Sequence, residues 1–196
     1  MVNDCIHFLF CTKTICDRSC PTAGESSYLL ERNDIPDGSD VFKSSDAENS
    51  KSLAILQSNE KYITVESDNT VRSANQIAYA AVCENWYGNH FHCSVYHLRF
   101  SNYIDDLQRS WGLKEVPESL EYTQIWLSTA KVLVISNIDF MKFQDFQAQT
   151  LLNIIHNRLS SGLKTILVTP KIKSLVGSGI FFDRLKALMK EGVIKL

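Results

Sequence analysis

Lys131-Val-Leu-Val-Ile-Ser-Asn-Ile-Asp139 decides the fold. Four apolar residues run from Val132 to Ile135, and three of them are β-branched. A short continuous apolar run of this kind fits a strand buried on both faces, as in a parallel sheet. Polar Ser136 and Asn137 follow where the strand should emerge at its C-terminal end. In an open α/β sheet that end is where ligands bind.

The same grammar continues on either side. Downstream, Asp145 to Leu159 reads as a helix with Phe146, Leu151, Leu152, Ile154, Ile155 and Leu159 as its apolar residues, ended by Ser160-Ser-Gly162. Thr165-Ile-Leu-Val-Thr169 is a second buried strand stopped by Pro170, Phe181 to Lys190 a helix, and Val193 to Leu196 a terminal strand. Upstream, Lys61-Tyr-Ile-Thr-Val-Glu66 is strand-like and Ser67 to Ser73 a polar turn. Ala74 to Tyr87 is a helix, with Gly88 as its C-cap. Ser94 to Phe100 alternates like a strand, Ser101 is placed to cap a helix from Asn102 to Trp111, and Leu120 to Ser128 is a short helix. This βαβ alternation predicts an α/β fold with a mainly parallel sheet flanked by helices.

Composition narrows the function classes. A length of 196 residues allows one sizeable domain or a domain with an appendage. The formal net charge of −2 gives no global reason to expect nucleic acid or membrane as partner. From Ser161 to Leu196 seven Lys or Arg face two acids, a bias read first as a solvated face. No apolar run approaches the roughly 18 residues that span a bilayer. Met1-Val-Asn-Asp lacks the basic and apolar regions of a signal peptide, so the expectation is a cytoplasmic protein with no membrane contact.

Residues 1–20 hold Cys5, Cys11, Cys16 and Cys20, with His7 between the first two. Clustered thiols in a cytoplasmic chain point to metal ligation before disulfides. Soft thiolates suit zinc or an iron–sulfur cluster. The intervals of five, four and three intervening residues match no standard zinc pattern, and reduced thiols packed as small hydrophobes are the alternative. Asp34 to Ser52 is rich in Asp, Ser and Asn and reads as a linker or surface loop. Residues 1–45 are thus a small Cys-rich, metal-binding appendage and linker, and 46–196 the α/β domain. His90, His92 and Cys93, with His97 nearby, are read as polar loop residues before a metal site. Trp86, Tyr87, Tyr96, Phe100, Tyr103 and Trp111 are read as core and interface before a platform for single-stranded bases.

The order of elements from Lys61 to Leu196 resembles the AAA+ ATPase domain of bacterial and phage replicative helicase loaders, within the wider P-loop NTPase class. Tyr28-Leu-Leu-Glu-Arg-Asn-Asp-Ile-Pro36 is similar to the segment leading into that domain. The resemblance implies a metal-binding N-terminal domain that contacts a helicase, and an ATPase domain that binds ATP and single-stranded DNA. The residues that would handle nucleotide depart from the pattern. A phosphate-binding loop needs glycines for close backbone approach and a Lys-Ser/Thr pair. The equivalent turn, Glu66-Ser-Asp-Asn-Thr-Val-Arg-Ser73, has neither glycine nor lysine. Asp68, Asn69, Arg72 and Ser73 mark this degenerate position, where Glu66 and Asp68 are expected to repel an anion. The Walker B acids are replaced at Ser136 and Asn137, with Asp139 two residues on. Thr169-Pro170 stands where loaders place a polar sensor. Arg184 occupies the arginine-finger position and is expected to pair with Asp183 or a helix end.

The expectation is therefore a non-enzymatic pseudo-ATPase of phage or mobile-element origin, with ATP unlikely as a ligand. Its protein partner would be a replicative helicase, a host loader, or a defence nuclease that it inhibits; it would act as monomer or dimer. The alternative is a genuine loader with atypical nucleotide or single-stranded DNA binding.

Overall fold

β-Branched residues fill a pleated surface well, and the sheet forms where this chain concentrates them. The computed structural model describes residues 46–88, 95–138 and 142–195. In chain order these give α1 (Asp46–Gln57), β1 (Tyr62–Glu66), α2 (Thr70–Gly88), β2 (Val95–Arg99), α3 (Phe100–Arg109) and α4 (Glu118–Thr129). Then follow β3 (Val132–Ser136), α5 (Asp145–Ser160), β4 (Lys164–Thr169), a 3-10 turn (Ile172–Ser174), α6 (Ile180–Glu191) and β5 (Val193–Lys195). All strand pairings are parallel, in the spatial order β2-β3-β4-β1-β5. The mainly parallel α/β sheet expected from the sequence is present.

Every residue of β3 is buried. Because side chains alternate along a strand, Val132 and Val134 join Ile63, Val65, Ile166 and Val168 on one face, against Ile55 of α1 and Ala74, Ile77, Ala78 and Ala81 of α2. Leu133, Ile135 and Leu167 point the other way, toward Ile104, Leu127, Leu151, Ile155 and Leu185. Small alanines on α2 let that helix lie close to the sheet.

Three of the boundaries that differ from the sequence reading have a physical reason. The linker expected through Ser52 ends sooner, because Asp46–Gln57 is helical. This helix is poor in large apolar residues and is held from outside. Lys164, at the start of β4, donates from Nζ to the carbonyls of Leu56 (2.6 Å) and Ser58 (2.6 Å). An ammonium at a helix C-terminus satisfies orphan carbonyls and meets the negative end of the dipole. Helix α2 starts at Thr70 and not at Ala74, so the turn before it is short. Helix α3 starts at Phe100, with Ser101 inside its first turn; Arg99 takes the cap position in extended conformation without a side-chain cap.

Lys164→Met should loosen α1 locally. Losing these bonds costs about 1–2 kcal/mol, enough to speed amide exchange in Asp46–Gln57 by roughly tenfold while β3 stays protected. Unchanged exchange in α1 would show that the ammonium does not hold it.

A second cation fastens the opposite layer. Arg158, in the last turn of α5, is 1% exposed. Its Nε donates to Thr165 Oγ1 (2.9 Å), Nη1 to the Leu127 carbonyl (2.9 Å), and Nη2 to the carbonyls of Ala130 (2.8 Å) and Lys164 (2.7 Å). One planar fork thereby joins α5, the end of α4 and the start of β4.

Candidate functional site

In an open parallel sheet, ligands bind beyond the strand C-termini where neighbouring strands send their connections in opposite directions. After β1 the chain crosses toward β2; after β4 it crosses to β5, on the other side of β1. The switch point therefore lies between β1 and β4, whose last residues, Glu66 and Thr169, are register partners. A cleft of about 530 Å³ opens there, lined among others by Glu66, Ser67, Asp68, Lys171, Lys173 and Lys190.

Only Ser67, Asp68 and Asn69 separate β1 from α2. Asn69 Oδ1 accepts from the Arg72 backbone N–H at 3.0 Å, the side-chain cap of a helix N-terminus. The Asn69 N–H donates to Ser67 Oγ at 3.1 Å, and Ser67 Oγ lies 2.7 Å from Ser73 Oγ. The Ser67 N–H donates to the Thr169 carbonyl at 3.0 Å. Asp68 and Asn69 lie in this turn, and Arg72 and Ser73 in the first turn of α2. Ser73 is buried with its hydroxyl on Ser67, and Arg72 is exposed.

The expected repulsion by Glu66 and Asp68 needs correction. Glu66 Oε1 accepts from the Ile172 backbone N–H at 2.7 Å, at the start of the 3-10 turn. Asp68 pairs with Lys171 at 3.5 Å, both largely exposed. Three lysines share the cleft with the two acids, so the local field is not that of two bare carboxylates. The signal for these lysines was present in Thr169-Pro-Lys-Ile-Lys173, directly after a buried strand. Only the strand order shows that this segment meets the end of β1.

At the end of β3, Ser136 is 1% exposed and its Oγ lies 2.9 Å from His97 Nε2 of β2. A serine–histidine contact stands where the resemblance implies carboxylates. His97 is a buried residue of β2, the strand that the alternation from Ser94 to Phe100 predicts. Asn137 turns the chain with φ 57, a left-handed conformation that asparagine tolerates. Thr169, where the resemblance implies a polar sensor, is fully buried, and its Oγ1 has no hydrogen-bond partner among the described residues. Arg184 is exposed on α6 with its guanidinium 5.9 Å from the centroid of the Phe181 ring. The expected contact with Asp183 gives way because adjacent residues on a helix point apart, whereas residues three apart are neighbours.

Cys5, Cys11, Cys16, Cys20, His7, His90, His92, Cys93 and Asp139 lie outside the described residues, as does the 1–45 appendage. Among the described residues no three His, Cys, Asp or Glu are grouped to hold a metal ion, and no helix is long and apolar enough to cross a membrane.

A parallel sheet in the order β2-β3-β4-β1-β5 with flanking helices, and its cleft beside the β1–α2 turn, matches an AAA+-like α/β fold. Among solved structures, the chain is similar to AMPPCP-bound DnaA from Aquifex aeolicus, with a TM-score of 0.56 and 10% identity over 99% of this chain and 50% of that one. The chain therefore spans about half the length of that protein. No protein-family model matches the chain, and no curated protein matches it in sequence.

Proposed function

We propose that this chain is a non-catalytic, helicase-loader-like AAA+ module that acts by binding a protein of a nucleic-acid machine. The observation that carries this reading is the closed N-terminus of α2. A phosphate-binding loop presents free backbone N–H groups at that place. Here the Arg72 amide is taken by Asn69 Oδ1 and the Asn69 amide by Ser67 Oγ. Three connecting residues leave no room for the glycine-rich loop, and no lysine follows them. With Ser136 replacing an acid, these residues do not fit a magnesium-bound triphosphate, although the DnaA neighbour was solved with AMPPCP. A fold kept without its hydrolytic groups suits a constitutive adaptor or blocker. A replicative helicase, its loader, or a host defence nuclease inhibited by a phage-encoded chain are the partners this implies.

Titration with ATP or AMPPCP plus magnesium should show no binding tighter than about 1 mM, weaker than roughly −4 kcal/mol. Micromolar affinity or turnover would defeat the reading. A second reading, a loader with altered nucleotide or single-stranded DNA binding, draws support from Lys171, Lys173 and Lys190 in the cleft. Steeply salt-dependent binding of single-stranded DNA, lost in Lys171→Ala/Lys173→Ala, would favour it. The N-terminal Cys5, Cys11, Cys16 and Cys20 complete the proposal as a zinc or iron–sulfur site. Metal analysis with a visible spectrum separates the two, since zinc is colourless.

A further inference from the structure

Five of the nine large apolar side chains exposed among the described residues fall within 111–125: Trp111 (61%), Leu113 (57%), Val116 (49%), Tyr122 (56%) and Ile125 (55%). Clustering of this kind marks an interaction surface more than scattered exposure does. Helix periodicity organises it. On α4, Leu120 and Leu127 face the core. Glu118, Glu121, Tyr122 and Ile125 stand at i, i+3, i+4 and i+7, one stripe on the outer side, and all four are exposed. Trp111, in the connection entering α4, is braced edge-on against Phe146 with ring centroids 5.1 Å apart and still shows most of its surface.

Charge selects what can lie on this stripe. From Phe100 to Thr129 there are five carboxylates, Asp105, Asp106, Glu115, Glu118 and Glu121, against Arg109 and Lys114. Arg109 is already beside Asp106, at 3.7 Å. A phosphate backbone or an anionic bilayer would meet like charge here. An apolar stripe rimmed by acids is instead complementary to an amphipathic helix with Lys and Arg on its flanks.

We propose that the outer face of α4, with the connection from Trp111 to Val116, docks a basic amphipathic helix of a partner protein. This names the partner chemistry of the function proposed above and rests on that reading only in taking the chain to work through protein contact.

The test uses the full chain and a fluorescein-labelled amphipathic peptide of Leu and Lys, with a Leu and Glu peptide of the same pattern as control. Anisotropy should show saturable binding of the Leu/Lys peptide, with the Leu/Glu peptide weaker by about tenfold or more. Tyr122→Ser/Ile125→Ser and Glu118→Lys/Glu121→Lys should each weaken the Leu/Lys peptide by a similar factor with unchanged circular dichroism. Equal binding of both peptides, no binding, or indifference to both double variants would overturn the proposal. So would a dimer, seen in sedimentation, that Tyr122→Ser/Ile125→Ser abolishes, since a second copy would then cover the face. Quenching of tryptophan by oligothymidylate that Trp111→Ala removes would equally overturn it. The nucleotide titration is independent: ATP binding would defeat the non-catalytic reading and leave a positive peptide result standing.

Discussion

Arg158→Ala should lower the stability of the domain by about 3–5 kcal/mol, the largest loss expected of any single polar side chain here. The guanidinium makes four hydrogen bonds at 2.7–2.9 Å, three of them to backbone carbonyls. Deleting it leaves those acceptors without a donor in a layer closed to water, and leaves a void the length of the side chain. In a domain of this size such a loss corresponds to a fall in Tm of roughly 6–20 °C. Arg158→Lys is the informative partner. It keeps a charge, but an ammonium cannot reproduce the planar fork, so about half of the loss should remain. Burial pulls the Arg158 guanidinium down to about 10. It is therefore charged in both folded and unfolded chains at neutral pH. A cation whose pKa is lowered by folding adds stability only as pH rises above about 10, toward the ordinary arginine range. The deficit of Arg158→Ala should then be flat between about pH 6 and 8. Urea titrations at several pH values measure it; a loss under about 1 kcal/mol would show that water replaces the fork.

The elements read from local pattern and those missed divide along one physical line. Val132–Ile135 and Thr165–Val168 were legible because two-sided burial leaves an unbroken apolar run. The composition of the β1–α2 turn was legible too, since absent glycine and lysine are facts of sequence. Helix α1 was not, because its stabilising partner, Lys164, lies more than 100 residues away. The state of Glu66 is fixed by Ile172, 106 residues on. Charge counts along the chain placed two acids at the turn, whereas the fold adds lysines from the far side of β4. Arg158 looked like any basic residue near a helix end. Its burial follows from β4 beginning beneath α5, which no periodicity announces. The composition of the turn was therefore readable, and its electrostatic setting was not.

Gly179→Ala should destabilise the domain by about 2–4 kcal/mol through two separable effects. Gly179 has φ 104 and ψ 167 as the cap residue of α6, a backbone region open essentially to glycine. A Cβ there would also run into the carboxylate of Asp145. That carboxylate sits in the first turn of α5 and accepts from the Phe181 N–H at 3.2 Å, so it caps α6 from a neighbouring helix. Asp145→Ala alone should cost about 0.5–2 kcal/mol, as loss of a helix cap does. In the Gly179→Ala background the same change also removes the clash. Its cost should shrink or reverse, leaving a coupling of about 1 kcal/mol or more. Strain without clash would make the two losses add, which denaturant titration of the four proteins would reveal. The pair bears on the proposed function because α6 carries Arg184 and, at its far end, Lys190 of the cleft. If the Gly179–Asp145 contact sets where α6 begins, Gly179→Ala should also raise amide exchange along Ile180–Asp183 before it affects β3.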